Sequence, residues 1–227
     1  MRRRSTQDRS IFVSFEGGEG AGKSTQIERL RARLEEAGCE VLVTREPGGS
    51  PTAERIRDIL LSGKAKSLGM SGEAILFAAA RRDHVASVIG PALRAGRVVL
   101  CDRFTDSTRV YQGAVAGADP ILLDRLETAA TSGISPDLTV MIDVPVEIGL
   151  ERARARRLAR GEEPDRFEAE AVSYHEKVRA AFLRIARAEP ERCKVVDGSR
   201  SVDEVSDAIW SELSALLQAR AGEAERG

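Results

Sequence analysis

The segment GGEGAGKS, from Gly17 to Ser24, satisfies the pattern G-x-x-x-x-G-K-[ST]. Its chemistry is anion capture. Gly17, Gly18, Gly20 and Gly22 let successive backbone N–H groups wrap a phosphate with no Cβ in the way, and Glu19 and Ala21 complete the loop. Lys23 would bridge the β and γ phosphates of a nucleotide, Ser24 would ligate Mg²⁺, and Thr25 follows on the first turn of a helix whose positive end faces the same anion. With residue frequencies like these, a chance match is roughly one in two hundred before any structural context is required. Two further groupings bear chemistry: Asp102-Arg103, which ends an apolar run, and the arginine cluster Arg152, Arg154, Arg156, Arg157, Arg160 and Arg166.

These residues need a scaffold, and the hydrophobic pattern supplies one. Ile11–Glu16, Cys39–Thr44, Val98–Cys101, Leu138–Val144 and Lys194–Val196 are short apolar runs bounded by turn residues, which predicts five strands. Between them lie helical stripes: Ile27, Leu30, Leu34 and Ala37 stopped by Gly38, then a helix opened by Pro51. A long segment from Glu73 to about Leu93 is interrupted at Gly90-Pro91, and Ile121–Ala130 reads as a further helix. Others begin at Pro145 and around Phe167, and a Ser201/Glu204 capping box precedes the last. Continuous apolar strands alternating with helices specify a three-layer α/β/α sandwich on a parallel sheet of about five strands, of the P-loop NTPase type.

The chain has 227 residues, which predicts one domain over 10–217, flexible tails at 1–9 and 218–227, and a lid near 152–166. Lys plus Arg number 35 against 36 Asp plus Glu, so nothing in the charge calls for a nucleic-acid partner. The longest apolar stretch, Ala74–Ala80, is too short to cross a bilayer. Cys39, Cys101 and Cys193 are odd in number and far apart, which fits neither a disulfide framework nor a thiolate metal site and points to a reducing cytoplasm. Neither His84 nor His175 has a motif around it, and both are assigned to packing or surface.

Nucleotide binding alone does not choose among ATPase, GTPase and kinase. The chain lacks asparagine altogether, so the Asn-Lys-x-Asp segment that reads guanine is absent, as are the His-Arg-Asp and Asp-Phe-Gly tripeptides of protein kinases. Transfer to a small acceptor needs positive charge around the moving phosphoryl group and exclusion of water, which the 152–166 arginines would supply as a lid. Alone, such a run reads as a solvated helix face.

FEGGEGAGKST, TREPGG, the segment from Phe77 to Arg81, CDRFTDSTRVYQG, PDLTVMIDV and RARAR…DRFE occur in this order over residues 10–217, and together they resemble the thymidylate kinase family. The resemblance implies phosphorylation of dTMP to dTDP by ATP with Mg²⁺, in a cytoplasmic homodimer. It implies that Phe77 stacks on the thymine, with Arg81 one helical turn on donating to the base, although Phe77 within AILFAAA, taken alone, reads as core. Thr108, Tyr111 and Gln112 would line the base and sugar pocket, Arg45 and Glu46 its mouth, and Glu19 would meet the deoxyribose 3′-hydroxyl. Arg103 would grip the acceptor phosphate and Asp102 would organise the metal, against the alternative of a structural ion pair. Gly20 stands where one branch of the family has an arginine, so charge on the transferred group falls to Arg152, Arg154 and Arg156. The extra residues RLARGEEP leave open whether Arg156, Arg157 or Arg160 reaches the γ-phosphate, and the segment from Asp197 to Ser201 resembles an adenine-receiving loop. Another nucleoside monophosphate as acceptor, or a P-loop switch without transferase activity, are the competing readings.

Overall fold

The computed structural model describes residues 10–161 and 170–224. Strands β1 (Ile11–Glu16), β2 (Val41–Arg45), β3 (Val98–Asp102), β4 (Leu138–Asp143) and β5 (Cys193–Asp197) form one parallel sheet in the order β2-β3-β1-β4-β5. Burial along the whole of β1 follows from helices on both faces. Ile11, Val13 and Phe15 join the core beneath α1 (Lys23–Glu36) and α9 (Val202–Ala224), while Phe12 meets Val85, Ile89 and Phe104 on the opposite side. Ser14, one of two buried polar residues of the strand, shares a 2.8 Å hydrogen bond with Thr139.

Each expected strand is present, β1 with the expected bounds and the other four differing by one or two residues at their ends. The helix expected from Glu73 begins earlier, as α3 (Gly69–His84). It does not break at Gly90-Pro91: a π-helical turn, Val85–Ile89, carries it into α4 (Gly90–Arg94), and the Gly90 N–H reaches back to the Val85 carbonyl. Proline has no N–H to donate and its ring crowds the preceding turn, so one widened turn accommodates Pro91 without ending the helix. A short helix α5 (Thr105–Thr108) likewise continues as a π-helical segment, Arg109–Val115.

Helix α2 (Pro51–Leu61) is capped by Ser50, whose Oγ accepts from the Ala53 N–H at 3.2 Å and donates to Asp83 at 2.5 Å. Replacing Ser50 with alanine is expected to cost about 1–2 kcal/mol. Urea unfolding would read this as a lower midpoint at unchanged slope, and an unshifted midpoint would remove the cap from the stability of the domain.

Helices α6 (Pro120–Thr131), α7 (Val146–Arg160) and α8 (Val172–Ala188) complete the layers. Tyr174, Val178, Phe182 and Ile185 of the expected α8 stripe belong to one apolar cluster, whereas Phe167, Arg166 and the DRFE motif lie outside the described residues. The expected capping box is present, Ser201 and Glu204 exchanging bonds of 3.0 and 3.3 Å. Helix α9 runs on to Ala224, past the expected end of the domain, through residues that all favour a helix except Gly222; residues 1–9 and 225–227 are outside the description.

Asp106, fully buried on α5, is held by both terminal nitrogens of Arg192 at 2.7 and 3.0 Å and by Arg109 at 3.0 Å. Arg192 also donates to Thr139 of β4 at 2.6 Å, which fastens the 105–115 helix to the sheet. Register pairs Phe15 and Arg45 with Asp102, and Asp143 with Asp197, so the loops after the strands emerge along one edge, where open α/β sheets place their ligands.

Candidate active site

The phosphate loop sits between β1 and α1 as its motif requires. Gly20 and Gly22 have φ of 65° and 96°, in the left-handed region open to glycine. A Cβ on Gly20 would also strike the carbonyl oxygen of Gly149 in α7, and one on Gly149 would strike that of Glu19. Ala21 is buried in the core, Ser24 and Thr25 are exposed on the first turn of α1, and Gly18 has open space around it. Lys23 Nζ donates to the carbonyls of Gly17 and Gly18 at 3.2 and 3.1 Å. Burial, then the charge of Arg103, lower the Lys23 pKa, with Asp102, Glu19 and Glu16 opposing.

Asp102 ends β3 beside this loop. Its Oδ2 accepts from Ser24 Oγ at 3.3 Å, and its Oδ1 is buried with no hydrogen-bond partner among the described residues. Arg103 next to it has φ 70°, a conformation that costs a side-chain-bearing residue about 1–2 kcal/mol. That turn aims the guanidinium back over the loop: Nη2 donates to Glu19 at 2.8 Å, and Nη1 lies 3.5 Å from the Gly17 carbonyl, 3.3 Å from Ser107 Oγ and 3.2 Å from Tyr111 Oη. Burial disfavours the Arg103 cation, yet Tyr111, Glu19, Asp102 and Glu16 outweigh it and raise its pKa. Burial likewise disfavours the Glu19 carboxylate, but Arg103, Lys23, Arg156 and His175 together bring its pKa below the ordinary value.

A cleft of about 590 Å³, open to solvent, runs from Glu19 and Arg103 to Phe77, Arg81, Thr108, Tyr111 and Gln112. Arg81 is 3% exposed and held through two of its nitrogens: Nε to Glu46 at 2.7 Å, Nη2 to the Phe104 carbonyl at 3.1 Å and to Thr108 Oγ1 at 3.0 Å, with its cation over the Phe104 ring. Gln112 is buried in the cleft wall. Phe77 lines the cleft and is outside the buried clusters, so the core-packing alternative does not hold for it.

Not every expected residue converges here. Arg45 is exposed, pairs with Glu54 at 3.1 Å and lines a neighbouring groove with Ser24 and Asp102, whereas Glu46 turns into the cleft. Arg152, Arg154 and Arg156 are exposed along α7; Arg152 donates to the Gly198 carbonyl at 2.8 Å, joining α7 to the 197–201 loop. Arg157 is half-buried on the same helix, while the side chain of Arg160 and residues 162–169 of the expected lid lie outside the described residues.

Sequence reasoning missed several participants. Glu16, fully buried, accepts from the N–H groups of Phe104 and Ser107 and from Ser107 Oγ, and burial followed by Asp106 pushes its pKa up to about 7. His84, assigned to packing or surface, is fully buried and bridges Glu46 at 3.1 Å and Thr44 at 2.7 Å. Its position three residues after Arg81 on α3 was the available signal. Arg57 and Ser107 also line the cleft, Arg57 donating to the Pro47 carbonyl at 2.8 Å.

Comparison with known proteins gives concordant findings. The family described as Thymidylate kinase matches residues 15–209. A thymidylate kinase of Nitrobacter winogradskyi is 53% identical over 205 residues, covering 90% of this chain and 88% of the relative. One from Rhodopseudomonas palustris is 54% identical over 217 residues, covering 94% of each. Among solved structures, a thymidylate kinase from Ehrlichia chaffeensis superposes with a TM-score of 0.70 at 33% identity, covering 90% of this chain and 98% of that one.

Proposed function

The chain belongs to the thymidylate kinase family and transfers the γ-phosphoryl group of ATP to dTMP, giving dTDP and ADP, and from that premise we propose that ATP takes the Gly17–Thr25 loop while dTMP fills the 590 Å³ cleft. Arg103 is the observation that carries the assignment of sites. One guanidinium lies within reach of the Gly17 carbonyl on one side and of Ser107 and Tyr111 in the cleft on the other, at the boundary where two phosphates would meet.

In this arrangement Arg103 holds the acceptor phosphate, Lys23 draws charge from the donor, and Glu19 faces the sugar of the acceptor. Phe77 stacks on the base, Arg81 donates to it with Glu46 fixing its orientation, and Thr108, Tyr111 and Gln112 close the pocket. Arg45 stands at the rim of the adjoining groove. The acceptor oxygen is already anionic, so positioning and electrostatics replace a general base. Arg152, Arg154 and Arg156 extend the positive charge over the transferred group and help exclude water.

The oxygen donors of Ser24 and Asp102 suit a hard cation, and the partnerless Asp102 Oδ1 is the kind of acceptor such an ion or its waters would use. Magnesium held there would shield the triphosphate. Three free thiols fit a reducing cytoplasm, and no helix among the described residues is long and apolar enough to cross a membrane. We assign the homodimer contact to α3 and α6, where Ile75 and Ile121 stand exposed, and adenine to the 197–201 loop.

The test is acceptor choice. With ATP and Mg²⁺, ADP release is expected with dTMP and not with AMP or GMP. Phe77→Ala is expected to raise the KM for dTMP roughly 5- to 150-fold, the worth of a lost aromatic contact of about 1–3 kcal/mol, and to leave the KM for ATP in place. An unchanged KM for dTMP would take Phe77 out of the base site.

A further inference from the structure

We infer that Glu16 is a positioning residue for Arg103, acting as the N-terminal cap of the 105–115 helix from a strand 88 residues away and as the far end of a hydrogen-bond relay through Ser107. The helix begins at Thr105 after Phe104, and Phe104 offers no side-chain cap of its own. Its first backbone donors would be left without acceptors in the protein interior. Glu16 Oε1 takes two of them, Phe104 N–H at 2.8 Å and Ser107 N–H at 3.3 Å. The carboxylate therefore does from β1 what a serine or aspartate ordinarily does from the chain itself.

The second half of the device is the side chain of Ser107. Its hydroxyl donates to Glu16 Oε2 at 2.6 Å and accepts from Arg103 Nη1 at 3.3 Å. Arg103 is thus gripped twice: its backbone lies between Asp102, paired into the sheet, and Phe104, pinned by Glu16, while its guanidinium is reached through Ser107. A residue with φ of 70° persists only where its surroundings over-determine it, and Glu16 is the group that does so on the C-terminal side. Burial and the charge of Asp106 both act against an ionised carboxyl at this site, so its retention there calls for a compensating use.

The inference rests on the reading of Arg103 as the acceptor-phosphate residue, and a double-mutant cycle separates the two. Glu16→Gln keeps the shape of the side chain and weakens its acceptor, and is expected to lower kcat/KM for dTMP about 10-fold or more with little change in the dissociation constant for ATP. In an Arg103→Lys background the same exchange is expected to cost less than about 2-fold, since its target is already altered. Equal effects in both backgrounds, or parallel losses of ATP binding and dTMP use, would overturn the positioning role. If Arg103→Lys by itself leaves dTMP use intact, the site assignment fails instead. Ser107→Ala, which leaves β1 untouched, is expected to reproduce part of the loss in the wild-type background. It serves if Glu16→Gln does not fold, and full activity in it would refute the relay.

Discussion

Arg103→Ala is expected to lower kcat/KM for dTMP by about 10³-fold, roughly 4 kcal/mol of transition-state stabilisation, while ATP binds within about 3-fold of the wild type. The expectation follows from where the side chain ends. Its two nitrogens reach Glu19, Tyr111, Ser107 and the Gly17 carbonyl, the groups that border both nucleotide sites. Most of the phosphate-loop donors are backbone N–H groups, which the substitution leaves alone. Arg103→Lys retains the charge without the planar fork and is expected to fall between, about 10- to 100-fold down. Steady-state kinetics with each substrate varied, together with calorimetric titration of ATP, reads both quantities. A variant that responds to dTMP as the wild type does would dissolve the acceptor-phosphate assignment.

The second large effect is expected from Gly20→Ala. The residue has φ 65°, and its added Cβ would collide with the carbonyl of Gly149, backbone that has no flexible end to swing aside. Conformational strain of about 1–2 kcal/mol adds to overpacking of about 1–3 kcal/mol. For a chain of this size the sum corresponds to a fall in melting temperature on the order of 5–15 °C. ATP affinity is expected to drop with it, because relieving the clash moves the loop whose N–H groups hold the phosphates. Gly18→Ala is the control: its Cβ would meet nothing within 4 Å, so its melting temperature is expected to stay near that of the wild type. Melting curves for the pair decide the matter, and equal stability of the two variants would show that the loop does not bear on α7.

The sheet was legible because its strands are apolar on both faces, and the phosphate loop because its residues are contiguous. Phe77 and Arg81 were legible as one face of one helix, and the family pattern supplied their use. Glu16 was not legible, since its partners Phe104 and Ser107 follow β3, Ser107 on α5, and come near it only once the strands are paired. His84 needed Glu46 and Thr44 from β2 and the loop after it. The TREPGG resemblance placed Arg45 and Glu46 together at the pocket mouth, but alternation at the end of an extended strand sends adjacent side chains to opposite sides, and of the two Glu46 lines the cleft while Arg45 lines the neighbouring groove. The π turns escaped because hydrophobic spacing does not distinguish a widened turn from a regular one.

The contact between Gly20 and Gly149 also restricts how this chain can diverge. A methyl group at either position meets main chain, at Gly149 in one case and at Glu19 in the other, so no exchange at the opposite position makes room for it. Neither site has a compensating partner. A side chain in the place of Gly20 therefore requires α7 to stand farther from the phosphate loop than it does here, a displacement of main chain and not an exchange of side chains.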